Sequence, residues 1–178
     1  TCALPILTET MAGTASSITA GGSGREVQLS SSVSSLKLGT ITAAGDVAVT
    51  NDGGAILDGN GATMNITGAK VSLTGRSGVG ESSDPIETTA TDIVATAKDL
   101  GSVIYINEAN GLDSVSASTK DGNVAINFAG GGHLTFTASS DLLDASGATV
   151  SFATSSGDVM LGVIDAGEGD ITINSSGR

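Results

Sequence analysis

The densest group of ionisable side chains in this 178-residue sequence is an acidic turn, Asp165, Glu168 and Asp170. Carboxylates this close together could face each other across a cleft as the acid–base pair of a glycoside hydrolase. They could also converge on a hard cation such as calcium. A polysaccharide lyase would need a basic residue beside the metal, and no Lys or Arg lies within several residues of the turn. The equivalent earlier turn keeps only Asp46, with Thr42 and Ala44 nearby. A solvated acidic corner is the simpler reading. Asp165, Glu168 and Asp170 therefore stand as a weak metal candidate, and no catalytic residue, cofactor or enzymatic activity is expected.

Other chemistry-bearing residues read the same way. Gly21-Gly22-Ser23-Gly24-Arg25-Glu26-Val27 is close to the calcium-binding Gly-Gly-x-Gly-x-Asp nonapeptide. It has Glu at the acidic position, Gln28 where an apolar residue belongs, and no tandem copy to share ligands between turns. It reads as a turn. Asp58-Gly59-Asn60-Gly61 is a tight corner and not a phosphate loop, because neither helix nor lysine follows. Asn65-Ile66-Thr67 and Asn174-Ser175-Ser176 fit the N-glycosylation pattern, as chance allows in a chain rich in Asn, Ser and Thr. Cys2 and His133 are the sole cysteine and histidine. They cannot build a zinc site or a disulfide scaffold. His133 reads as an exposed residue at the start of the strand Leu134-Thr135-Phe136.

The composition narrows the partners. Seven basic against nineteen acidic residues give a net charge of −12, and only 2% of residues are aromatic. Nucleic-acid binding needs a basic footprint and stacking rings, and this chain offers neither. No apolar run approaches the ~20 residues of a membrane span. Thr1-Cys2-Ala3-Leu4-Pro5 lacks the basic and apolar regions of a secretion signal. A removed signal or a longer parent protein is therefore expected. The 26 glycines are irregularly placed, so collagen is excluded. An all-β chain of short strands with Gly, Asn and Asp turns remains.

Those strands would have to position any site. A turn glycine, a small polar residue and then alternating apolar residues recur at Gly45–Val49, Gly101–Ile106, Gly122–Ile126, Gly157–Leu161 and Gly169–Ile173. Glycine with Asp or Asn suits a corner of positive φ, and the alternation buries one face. Val27, Val47, Val71, Ile93 and Val115 follow one another at 20–24 residues. Val103, Val124, Val150 and Ile171 form a second series at 21–26 residues. A period this long favours coils stacked as a solenoid over a meander of hairpins. Eight coils of about 22 residues, 4.8 Å apart, would make a rod of roughly 40 Å. A longer repeat superposes Val27-Gln28-Leu29 and Leu36–Ile41 on Val150-Ser151-Phe152 and Val159–Ile164, 123 residues later. It implies further copies in a longer protein.

Residues 76–100 leave two readings open. Asp84 could cap a helix with Pro85 at its first position and Gly101 as its stop. Ile86, Ala90, Ile93, Ala97 and Leu100 would form its apolar stripe. The wealth of Thr, Ile and Val, and the 22-residue length, fit another strand coil instead.

The order Gly54–Gly61, Met64–Leu73, Gly78-Val79-Gly80, Asp84–Thr88 and Gly101–Glu108 resembles the repeats of filamentous-haemagglutinin-like bacterial surface adhesins, across roughly residues 45–113. The resemblance implies a right-handed parallel β-helix of about 20–26 residues per coil. It implies a secreted or cell-surface segment, residues 1–178 forming one solenoid, exported through an outer-membrane transporter. Expected partners are neighbouring repeats, cell-surface glycans or proteins, or identical subunits stacked end to end as an extracellular filament. A pectinase-type polysaccharide-active β-helix is the remaining alternative.

Overall fold

The computed structural model describes residues 13–120, 122–131, 134–135, 143–145, 150–156, 159–160, 164–165 and 171–175. Among them every regular element is a strand. One sheet stacks seven strands: β2 (Val27–Ser31), β4 (Val47–Asn51), β7 (Lys70–Gly75), β10 (Asp92–Leu100), β12 (Ser114–Lys120), β15 (Leu143–Ala145) and β18 (Ile164–Asp165). A ten-stranded sheet begins with β1 (Thr14–Ala20) on β3 (Ser35–Ala43) and ends with β11 (Val103–Glu108), β13 (Val124–Gly131), β16 (Val150–Ser156) and β19 (Ile171–Ser175). A small third sheet pairs β14 (Leu134–Thr135) with β17 (Val159–Met160). The pairings between these strands are all parallel, each strand lying on its counterpart from the neighbouring winding. The protein is a β-solenoid.

The register follows the apolar spacing. Val27 lies on Val47, Val47 on Val71, Val71 on Ile93 and Ile93 on Val115. All five are buried, forming a column of branched aliphatics. Beside it Leu29, Val49, Leu73, Ala95 and Ala117 form a second column, in which Leu and Val give way to Ala from β10 onward. The opposite sheet supplies Leu36, Ile56, Val79, Ile104 and Val124, each 0% exposed. In this sheet the expected pairing of Val103 with Val124 is displaced by one residue, and Ile104 takes the inward place. Val103-Ile104-Tyr105-Ile106 is apolar throughout, so alternation alone does not fix which residues face inward.

The open question over residues 76–100 resolves as a coil. β8 (Gly78–Val79), β9 (Ile86–Thr89) and β10 succeed one another without a helix. Ile93, Ala95 and Ala97 are buried at strand spacing, while Leu100 is 76% exposed. Register with β7 on one side and β12 on the other outweighs the cap signal at Asp84. The 123-residue repeat joins strands that are not equivalent in space. Val27 belongs to the seven-stranded sheet and Val150 to the ten-stranded one. The similarity reflects a shared strand pattern, not a shared position.

The ten-stranded sheet has one irregularity. β3 spans nine residues and carries two short strands side by side: β5 (Ala55–Asp58) on its first half and β6 (Ile66–Thr67) on its second. The next winding repeats the split, with β8 over β5 and β9 over β6. β11 closes it by pairing with both β8 and β9. Two successive windings therefore leave the sheet at residues 59–65 and 80–85.

Candidate functional site

The split places side chains from three windings at one corner. Asp58 ends β5 and is buried, 6% exposed as a residue. Its Oδ1 accepts the Asn60 amide at 2.9 Å, a turn that Gly61 completes with φ +64°. Asn65, 0% exposed, donates from Nδ2 to Asp58 Oδ1 at 2.6 Å and to Asn60 Oδ1 at 2.8 Å. Its own Oδ1 accepts the Glu87 amide at 2.9 Å, which ties this corner to the next winding. Burial of this polar group is tolerated because both ends of the amide are satisfied.

Asp84 comes from the second departing loop, where Glu81 and Asp84 pair their backbones in an antiparallel bridge. Its exposed carboxyl faces the Asp58 side, near enough for the two groups to shift each other's titration. Asp58 Oδ2 is buried without a hydrogen-bond partner, and so is Glu87 Oε2. Burial acts to raise the Asp58 pKa, but the hydrogen bonds from Asn65, Asn60 and Gly59 outweigh it and hold the carboxyl below its ordinary value. The Asp84 carboxyl is pushed up, by desolvation first, then by the charge of Asp58 and by the bond to it. Glu81 adds to the rise and Lys37 opposes it. Glu87 is also raised, by burial and by the Asp58 charge. Asn107 donates to Glu87, and Asn127 Nδ2 donates to Asn107 Oδ1 at 3.1 Å, so an amide ladder continues onto the following windings.

Two carboxyl groups with pKa values driven apart can share one proton, Asp58 ionised and Asp84 protonated. Such a pair can exchange a proton with solvent through Asp84. Among the described residues no three His, Cys, Asp or Glu side chains converge to hold a metal ion. The pair's simplest action is to dock one loop on another. Protonation of Asp84 removes its repulsion with the Asp58 charge, so docking should strengthen as pH falls through the raised Asp84 pKa. It should loosen as pH rises above it. Asp84→Asn keeps a donor at every pH. Amide exchange at Gly80 and Glu81 should then become independent of pH-driven docking, whereas Asp84→Ala should exchange fast throughout. Equal pH dependence in wild type and Asp84→Asn would contradict the shared proton.

The residues singled out from sequence fall elsewhere. Asp165 ends β18, in register with Asp144 of β15. Glu168, Asp170, Cys2 and His133 lie outside the described residues. The glycine-rich segment is a turn, with Gly22 and Gly24 at φ +110° and +67°. Arg25, Glu26 and Val27 line a cavity of about 280 Å³ with Ile18 and Ala20. The Asn65 acceptor amide is buried and engaged in the folded chain. Asp58 and Asp84 read from sequence only as a turn residue and a helix cap. No family model, curated protein or solved structure matches this chain.

Proposed function

We propose that this chain is a non-catalytic, rigid segment of a large secreted bacterial surface protein, serving adhesion to cells or matrix. One observation supports the reading above others: the unbroken vertical register of buried aliphatic side chains from Val27 to Val115. Stiffness and length need that register and nothing else. The charge of −12 discourages sideways association of the flat faces. Two of the seven cations are paired on the surface, Lys98 with Asp52 at 2.8 Å and Arg76 with Asp99 at 3.3 Å. The resemblance to filamentous-haemagglutinin-like repeats supports the secreted setting.

The test couples shape to binding. X-ray scattering from the purified chain should give an elongated particle of roughly 40 Å. Beads coated with it should be retained on cells or extracellular matrix, and pectins and related glycans should come through incubation intact. Release of sugar products would replace the scaffold reading with the polysaccharide-active one. A compact spherical particle would remove the rod.

A further inference from the structure

The chain has two prolines, Pro5 after Leu4 and Pro85 after Asp84. Asp84–Pro85 is therefore its sole Asp-Pro bond, and it lies in the second loop that leaves the ten-stranded sheet. Three properties of that loop act on the bond. Glu81, Ser82, Ser83 and Asp84 are all exposed, so water reaches it. The Asp84 carbonyl oxygen accepts the Glu81 amide at 3.1 Å, and the Asp84 amide donates back to the Glu81 carbonyl at 3.1 Å, which fixes the turn. On the far side Ile86 is 0% exposed and β9 pairs with β6 and β11, so the chain after Pro85 is anchored. The proline nitrogen carries no hydrogen. As a tertiary amide it takes up a proton and departs more readily than an ordinary peptide nitrogen.

We propose that Asp84–Pro85 is a self-cleavage site, opened in acid by the side chain of Asp84 itself. The carboxyl reaches its own main-chain carbonyl through a five-membered ring. It passes its proton to the Pro85 nitrogen, its oxygen bonds to the Asp84 carbonyl carbon, and the C–N bond breaks. Pro85 leaves as a new amino terminus, and Asp84 becomes a cyclic anhydride. One water opens the anhydride to two carboxyl groups. The sum is hydrolysis of one peptide bond, with nothing oxidised or reduced. The Glu81 amide, already bonded to the scissile carbonyl, stabilises the charge that develops on its oxygen. The reacting form is the protonated carboxyl. Desolvation and the Asp58 charge keep the proton on Asp84 to higher pH; Glu81 acts in the same sense, and Lys37 opposes them. Glu87, on β9, also feels the Asp84 charge. Cleavage should thus run in milder acid than the dipeptide alone requires. Asp58 is a positioning residue, since it acts only through the Asp84 proton. The pairings of β7 with β10, β8 with β11 and β6 with β9 cross the cut, so the halves stay stacked until denatured. This is a single event on the chain itself, and it depends on the loop and not on the adhesive reading.

The experiment holds the 178-residue chain over a pH series from about 2 to about 7, spanning the carboxyl range, then denatures it for mass spectrometry. Fragments 1–84 and 85–178 should appear, their masses summing to the intact chain plus one water. The same chain kept in concentrated urea should need stronger acid. Asp84→Asn and Pro85→Ala should stay whole with an unchanged circular-dichroism spectrum. Asp58→Asn keeps the Oδ1 acceptor and should cleave with its profile moved to lower pH. On the neutral side its rate should fall about tenfold for each unit of that movement. A chain that stays intact throughout overturns the inference. So does equal cleavage in urea at every pH, because the dipeptide alone would then be responsible. An Asp58→Asn profile that does not move overturns the part given to the corner.

Discussion

Glu108→Ala should destabilise the fold by about 4 kcal/mol, while Glu108→Gln should be neutral or stabilising at neutral pH. Glu108 ends β11 and points into the core, 0% exposed, in register with Thr88. Thr88 Oγ1 donates to its Oε2 at 2.6 Å. The amides of Ala90 and Asn110 donate to its Oε1 at 3.2 and 3.1 Å. Alanine would leave these donors unpaired around a new void. Glutamine keeps Oε1 as the acceptor of both amides and presents its own amide to the Thr88 hydroxyl, which can turn to accept. It also removes a buried charge. Burial raises the Glu108 pKa despite the bonds from Thr88, Asn110 and Ala90. The sign follows. A carboxyl whose folded pKa is raised contributes stability that is fully present below the unfolded pKa and lost as pH rises through the folded value. Denaturant midpoints of wild type and Glu108→Gln should therefore converge in acid and separate towards neutral pH, with the glutamine form the more stable. A glutamine variant as damaged as the alanine one would show that the charge itself holds the winding together.

The second large effect lies at a corner. A Cβ on Gly54 would sit 1.8 Å from the Ser34 carbonyl oxygen and 2.5 Å from its carbon. That backbone belongs to the winding beneath and cannot move without breaking register along β3 and β5. Gly54→Ala should cost about 3 kcal/mol or more. Gly61→Ala is the control. Gly61 has φ +64° and open space around it, so alanine there meets only the left-handed backbone penalty of about 1 kcal/mol. Denaturation of both variants by guanidinium separates close stacking from backbone conformation. If Gly61→Ala proves the more harmful, crowding between windings is not what glycine relieves at these corners.

That contrast bears on what the sequence discloses. The vertical column Val27, Val47, Val71, Ile93 and Val115 was legible because a stack repeats its inward positions at the coil length. The reason for the turn glycines was only partly legible. Positive φ applies at Gly101, φ +74°, but Gly45 and Gly122 owe their identity to the backbone pressed against them. The inward residue of β11 is not legible, since four successive apolar residues carry no parity. The carboxyl corner was not legible at all. Asp58 and Asp84 stand 26 residues apart, about one coil, and only Asp84 has acidic neighbours in the chain, Glu81 and Glu87. Closeness along the chain marks out Asp165, Glu168 and Asp170 instead. Stacking converts one coil length into contact, so acidic residues should be compared at coil spacing. The paired turn segments at 59–65 and 80–85 were the available signal.

The engaged amide of Asn65 has a consequence for making the protein. Its Nδ2 serves Asp58 and Asn60, and its Oδ1 holds Glu87. In a eukaryotic secretory host, oligosaccharide transfer to this asparagine would compete with closure of the corner. A chain that receives the sugar first cannot seat the side chain, and the windings above it lose their footing. Production in a bacterial host avoids that race.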